Sequence, residues 1–223
     1  MKNREIVAIV RAKLKQISGD DIISDRAILS ELKSTSNLYI KRETDKRKLL
    51  SVDSLFTTIP CLEMVEVPLS ECCVYRSPCT IRRSVHPLPK VGEGLWGYII
   101  ESVQSLDGSM SFSEGSASRY ANLLSMGLKK KPHVFWIQNS YLYVTDPDIA
   151  IIRLRAYFEE DINPILLECD ENATIDECSN PLDDEFRCPG YIIQNVITTV
   201  ENSYYEKFLR LRADDTDNDN PTT

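Results

Sequence analysis

The chain has 223 residues, 42% of them hydrophobic, and a formal charge of -8. That apolar content excludes a disordered chain and suffices for one large domain, or a small domain with a sizeable insertion. Net acidity argues against general nucleic-acid binding through a basic face, yet the charge is graded along the sequence. Residues 1–50 hold twelve Lys and Arg against seven acids, whereas residues 158–186 hold eleven acids and no base. Such polarity suggests oriented docking between unlike surfaces. Seven cysteines (Cys61, Cys72, Cys73, Cys79, Cys169, Cys178 and Cys188), an odd number behind a charged first helix, favour a reducing cytosol and free thiols. No apolar run approaches the roughly 18 residues of a membrane span, so a soluble chain with no membrane partner is expected.

Residues 3–17 place Ile6, Ile9, Val10, Leu14 and Ile17 three and four apart, which predicts an amphipathic helix ended by Ser18-Gly19-Asp20. Ser24-Asp25 then offers a cap for a second helix over about residues 25–49. Its apolar stripe runs through Ile28, Leu29 and Leu32, skips Ser36 and resumes at Tyr39 and Ile40. The end of this helix, with Arg42, Lys46, Arg47 and Lys48, reads either as a solvated face or as a basic docking rim.

Prolines at 60, 68, 78, 87 and 89 exclude a long helix up to residue 90. Residues 57–67, 79–84 and 98–103 read as strands, with residues 91–97 a glycine-containing turn region and residues 117–124 one short helix. Val134 to Val144 consists of two short aromatic and β-branched runs broken by Asn139-Ser140, a pair that tolerates left-handed backbone, and predicts a tight hairpin. The next strand alternates Ile152, Leu154, Ala156 and Phe158 against Arg153, Arg155 and Tyr157, so the latter three are expected on one outer face. The acidic segment, starting with Glu159 and Glu160, reads as an irregular loop or a short acidic helix. Pro189 then starts a final helix to about Arg212, whose stripe is Ile192, Val196, Val200, Tyr204, Phe208 and Leu211. Residues 213–223 have no apolar side chain but Ala213 and Pro221 and read as a disordered acidic tail.

The expected fold class is therefore α+β: a small helical bundle of residues 1–50 and 189–212, with an inserted mostly β domain at residues 55–160. An acidic irregular connection, 161–188, and the tail complete the plan.

Chemistry is sparse. No Cys-x-x-Cys pair is present, and separations of six, nine and ten residues between cysteines argue against a zinc site even with His86. His86 and His133 abut proline-containing loops, and no nucleophile elbow or phosphate-cradling glycine motif accompanies them. Glu159 with Asp161 could be proposed as acid and base, but an acidic surface explains them more simply. No catalytic residue, cofactor or metal is expected. Arg153 and Arg155, with Arg82 and Arg83, could meet DNA phosphates or the acidic segment of a neighbouring copy. Trp136, Tyr141, Tyr143 and Tyr157 could stack bases or pack across strands.

Asp25-Arg-Ala-Ile-Leu-Ser-Glu-Leu-Lys33, Arg47-Lys-Leu49, Leu55-Phe-Thr-Thr-Ile-Pro-Cys-Leu-Glu-Met64, Val67-Pro-Leu-Ser-Glu-Cys-Cys73, Trp136-Ile-Gln-Asn139, Tyr141-Leu-Tyr-Val-Thr145 and Tyr157-Phe-Glu-Glu160 span roughly residues 25–160. In these strings and in its helix–β–helix plan the chain resembles the head-to-tail adaptors of tailed bacteriophages, more closely the neck and tail ring proteins of crAss-like phages. The resemblance implies a homo-oligomeric ring of about a dozen copies. Its implied partners are the portal protein and other neck and tail rings, with DNA passing through the channel without specific binding. It implies a virion protein assembled in the host cytoplasm, with Arg42, Lys46, Arg47, Lys48, Arg153, Arg155, Tyr157, Glu159 and Glu160 as candidate interface residues. The alternative is a phage-encoded DNA-binding or regulatory protein.

Overall fold

The computed structural model describes residues 1–18, 23–46, 53–71, 80–126, 132–160, 162, 166, 169 and 180–217. It divides into two compact units, Met1–Leu55 with Asp176–Thr223, and Phe56–Ile175. The fold class is α+β: three helices from the two ends of the chain form one unit, and a mostly β insertion forms the other.

The first unit consists of α1 (Asn3–Ser18), α2 (Asp25–Asp45) and α4 (Gly190–Asp217). Ser24 caps α2, its Oγ accepting from the Ala27 N–H at 3.3 Å, one of the orphan donors every helix start must satisfy. Ile6, Val10 and Leu14 from α1, Ile28, Leu29 and Leu32 from α2, and Ile192, Val196, Val200 and Tyr204 from α4 share one core. The stripe of α1 is rotated from its expected position, since Val7 is buried and Ile9 is 41% exposed. Ser36 does not interrupt the α2 stripe; it is buried within it at 2% exposure. The final helix runs to Asp217, five residues beyond its expected end, and residues 218–223 lie outside the described ones.

Residues 180–188 are bound to the start of α1. Asn3 and Arg4 donate backbone N–H bonds to the carbonyls of Asp184 and Leu182, both at 2.9 Å, and Arg4 pairs with Asp183 at 2.8 Å. A part of the acidic connection thus meets the basic N-terminus within one copy.

The second unit holds a seven-stranded sheet in the order β5-β9-β1-β2-β8-β7-β6: β1 (Thr57–Pro68), β2 (Thr80–Ser84), β5 (Ile100–Ser105), β6 (Ser113–Glu114), β7 (Val134–Gln138), β8 (Tyr141–Val144) and β9 (Ile151–Ala156). The twelve-residue β1 joins two sets of strands: residues 57–63 pair with β9 and residues 64–68 with β2. Its register shifts between Ile59 and Leu62, where Pro60 lacks a ladder donor, a position proline tolerates only at a bulge or edge. Ile59, Leu62, Val103, Leu142, Val144, Ile152 and Leu154, each at most 1% exposed, fill the core between the sets. A separate hairpin, β3 (Glu93–Gly94) with β4 (Gly97–Tyr98), and the helix α3 (Ala117–Ser125) complete the unit.

β7 and β8 form the expected hairpin, Gln138 facing Tyr141 across a two-residue turn. Asn139 and Ser140 have φ of 52° and 64°, the left-handed pair of a type I′ turn, which matches strand twist. Trp136 stacks on Tyr143 with ring centroids 5.7 Å apart.

Cys61 and Cys169 form a disulfide, which corrects the expectation of free thiols for these two. Sequence spacing gave no sign of it, because the pair is 108 residues apart and only folding brings β1 beside the segment after β9. Cys188 is free and buried, and its burial pushes the thiol up from the ordinary range. Cys72, Cys73, Cys79 and Cys178 lie outside the described residues.

Candidate interaction surfaces

A strand that alternates apolar and basic residues places its charges on one face, and β9 does so for Arg153 and Arg155. Arg153 is exposed. Arg155 is half-buried and forms an ion pair with Glu101 of the adjacent β5. Tyr157 departs from the expectation, being only 2% exposed. It follows β9, and the chain around Gly92 and Ile99 covers it: the Gly92 N–H donates to the Tyr157 carbonyl at 2.8 Å, and the Tyr157 N–H to the Ile99 carbonyl at 3.0 Å. A Cβ on Gly92 would lie 2.4 Å from the Tyr157 ring, so glycine there is what permits the cover. Period-two reasoning holds only while the residue remains in the sheet.

Glu159 is almost enclosed, its side chain 7% exposed and paired with Lys90 at 3.0 Å. That hydrogen bond, with the charge behind it, raises the Lys90 ammonium above its ordinary range. Glu160 is exposed. At the end of α2, Arg42 and Lys46 are exposed, with Lys46 pairing to Glu43 at 3.0 Å. Arg47 and Lys48 lie outside the described residues. Of the candidate set the structure thus brings Arg42 and Lys46 together at one helix end, presents Arg153 and Glu160 to solvent, and commits Arg155 and Glu159 to pairs within the copy.

The other arginines are engaged similarly. Arg82 donates to the Pro147 carbonyl at 2.7 Å; Arg83 pairs with Glu71 and lies 4.7 Å over the Tyr141 ring. Trp136, Tyr143 and Tyr157 are 5%, 3% and 2% exposed, so these rings are packed in the core rather than offered as a stacking platform, while Tyr141 is half-buried. Among the described residues no group of three or more His, Cys, Asp or Glu converges as a metal ion would need, and no helix is long and apolar enough to cross a membrane.

Two surface features carry no expectation from sequence reasoning. Leu95 and Trp96, at the tip of the β3–β4 hairpin, are 82% and 71% exposed. The signal for them was Gly94-Leu-Trp-Gly97, two large apolar residues bracketed by glycines, of which Gly97 takes a φ of 121°. The second is a hollow of about 360 Å3 between the Gly115–Ser118 turn, Tyr98 and the Trp136–Gln138 end of β7. Glu114 borders it with its carboxylate pushed up from the ordinary range, chiefly by burial, although the residue as a whole is exposed.

Buried apolar strands, in-chain ion pairs and exposed tips describe a protein whose chemistry is packing and docking. That description suits a structural assembly protein. A family model described as phage tail ring protein 2 of crAss-like phages matches residues 5–222, nearly the whole chain and both units, and the chain belongs to that family. It is a virion protein that assembles as a ring in the phage tail. A search of curated proteins finds no match.

Proposed function

We propose that this ring sits in the neck, connecting the portal to the tail and continuing the channel through which DNA passes. The observation that carries the reading is the match of one tail ring family over residues 5–222, with the helical unit and its β insertion both inside it. The helical unit would serve as the adaptor-like part that docks along the axis, with the exposed Arg42 and Lys46 as a basic rim. Arg153 and Glu160 supply unlike exposed charges on the β unit, suited to heterologous contact between rings or neighbours. DNA passes without specific binding, since Arg82, Arg83 and Arg155 are each engaged by groups of their own chain. The ring acts by assembly rather than by reaction.

Native mass spectrometry of the chain, with and without purified portal, tests this reading. Rings that form on the portal, and that weaken when Arg42 and Lys46 are both changed to Glu, support it. A chain that ignores the portal and binds only to distal tail components would overturn it.

A further inference from the structure

A ring closes by heterologous contacts, so every copy needs a projecting surface and a different receiving one. The β unit contains a candidate for each. Leu95 is the most exposed of the large apolar side chains described, and Trp96 stands beside it on the same two-residue tip. From Gly94 to Tyr98 the hairpin carries no charge, so the tip brings no ion of its own into a contact, and the carboxylate lining the receiving hollow is that of Glu114. Exposed apolar residues concentrated in this way mark an interaction site. β3 and β4 pair with each other, outside the seven-stranded sheet.

The receiving surface is the hollow beside β7, which Leu95 and Trp96 of the same copy do not line. Two of its features suit the backbone of a docked hairpin. β6 ends at Glu114, opposite Phe135, so Trp136 to Gln138 have a partner strand on the β8 side alone among the described residues. An open strand edge is a template for strand addition. Trp136 also lines the hollow and, though only 5% exposed, its indole N–H has no acceptor. Buried donors without partners are rare in native folds, and the carbonyls of a docked strand would supply one. The volume, about 360 Å3, lies in the range of sites that enclose a compact apolar group.

We infer that the Leu95–Trp96 tip of one copy seats in the hollow of a second copy, along the open edge of β7, and that this is a contact between subunits of the ring. The test replaces Trp96 with the photo-crosslinker p-benzoylphenylalanine in a mixture of heavy-isotope and normal chains. Irradiation of the assembled ring gives heavy–light dimers joined at residues 114–118 or 136–138. The paired variants Leu95→Ser with Trp96→Ser, and separately Ser118→Trp to fill the hollow, each reduce self-association by about tenfold or more, as loss of an aromatic anchor does. Mixed together they recover a one-to-one pair, since one retains the hollow and the other the tip. Far-ultraviolet circular dichroism of both variants matches the parent. Crosslinks within single copies, crosslinks to a different protein, absence of a dimer, or variants that assemble like the parent would each overturn the inference. None of these outcomes depends on where along the axis the ring sits.

Discussion

The two units are held together by different means. In the helical unit, segments from both chain ends bury continuous stripes against one another, and polar contacts such as Tyr39 to Thr199 at 2.9 Å and Lys13 to Glu201 at 2.7 Å tie the rims. In the β unit backbone pairing carries the contacts: β1 meets β9 across about ninety residues of sequence, and a disulfide joins Cys61 and Cys169, 108 residues apart. Local periodicity is sufficient for the first unit, whereas the second depends on pairing, a bulge at Pro60 and a close approach at Gly92. The helical unit is therefore expected to tolerate surface change, while the β unit has a few positions where one atom is too many.

The largest effect expected is on the β unit alone. A disulfide closing a loop of about 100 residues contributes up to about 4.7 kcal/mol in the chain-entropy account. Replacing Cys61 and Cys169 by Ser is expected to lower stability by about 2–5 kcal/mol, read from tryptophan emission in urea, since Trp96 and Trp136 both lie in the β unit, while the helical signal at 222 nm keeps its midpoint. A single transition shifted equally by both probes would break the comparison.

Cavity formation comes next. Leu142→Ala removes a side chain with 0% exposure from the β core, and Leu32→Ala does the same in the helical core, each costing about 2–5 kcal/mol. Chemical denaturation followed with the two probes separates the cores, because each substitution moves its own transition further. Gly92→Ala forces a methyl group against the Tyr157 ring and is expected to cost about 1–3 kcal/mol, comparable to other overpacked sites. Helix-cap loss through Ser24→Ala costs about 1 kcal/mol and falls on the helical unit.

The smallest effect is one of titration. Ser105 and Ser109 hydroxyls hydrogen-bond the Asp107 carboxylate and lower it to about 2. A depressed carboxylate gives stability that is present above its unfolded pKa and lost as pH falls through the folded value, so this turn loosens only between about pH 4 and 2. Ser105→Ala is expected to move the Asp107 titration, followed by NMR, back up toward its ordinary range.

Much of the architecture was legible. Stripes at i, i+3 and i+4 gave the helices, and alternation in 152–158 together with Asn139-Ser140 gave the strand and hairpin, because local sequence carries both periods. Tyr157 was misplaced because alternation continues in sequence after the strand has ended and another segment has covered it. The pairing of Arg155 with Glu101, and of Glu159 with Lys90, was hidden since both partners are distant in sequence. Ile9 and Val7 exchanged places because α1 packs against two helices at once and its apolar face follows their geometry. The disulfide and the hollow beside β7 are products of tertiary pairing and leave no mark on spacing.

The proposed place of this tail ring protein is the neck, between the portal and the tail. Cryo-electron microscopy of the purified virion tests it most directly. The expected result is a closed ring of this chain around the DNA channel on the portal-to-tail axis, its helices and β insertion both fitting the density. A ring located only at the distal tail, or a virion without this chain on that axis, would contradict it.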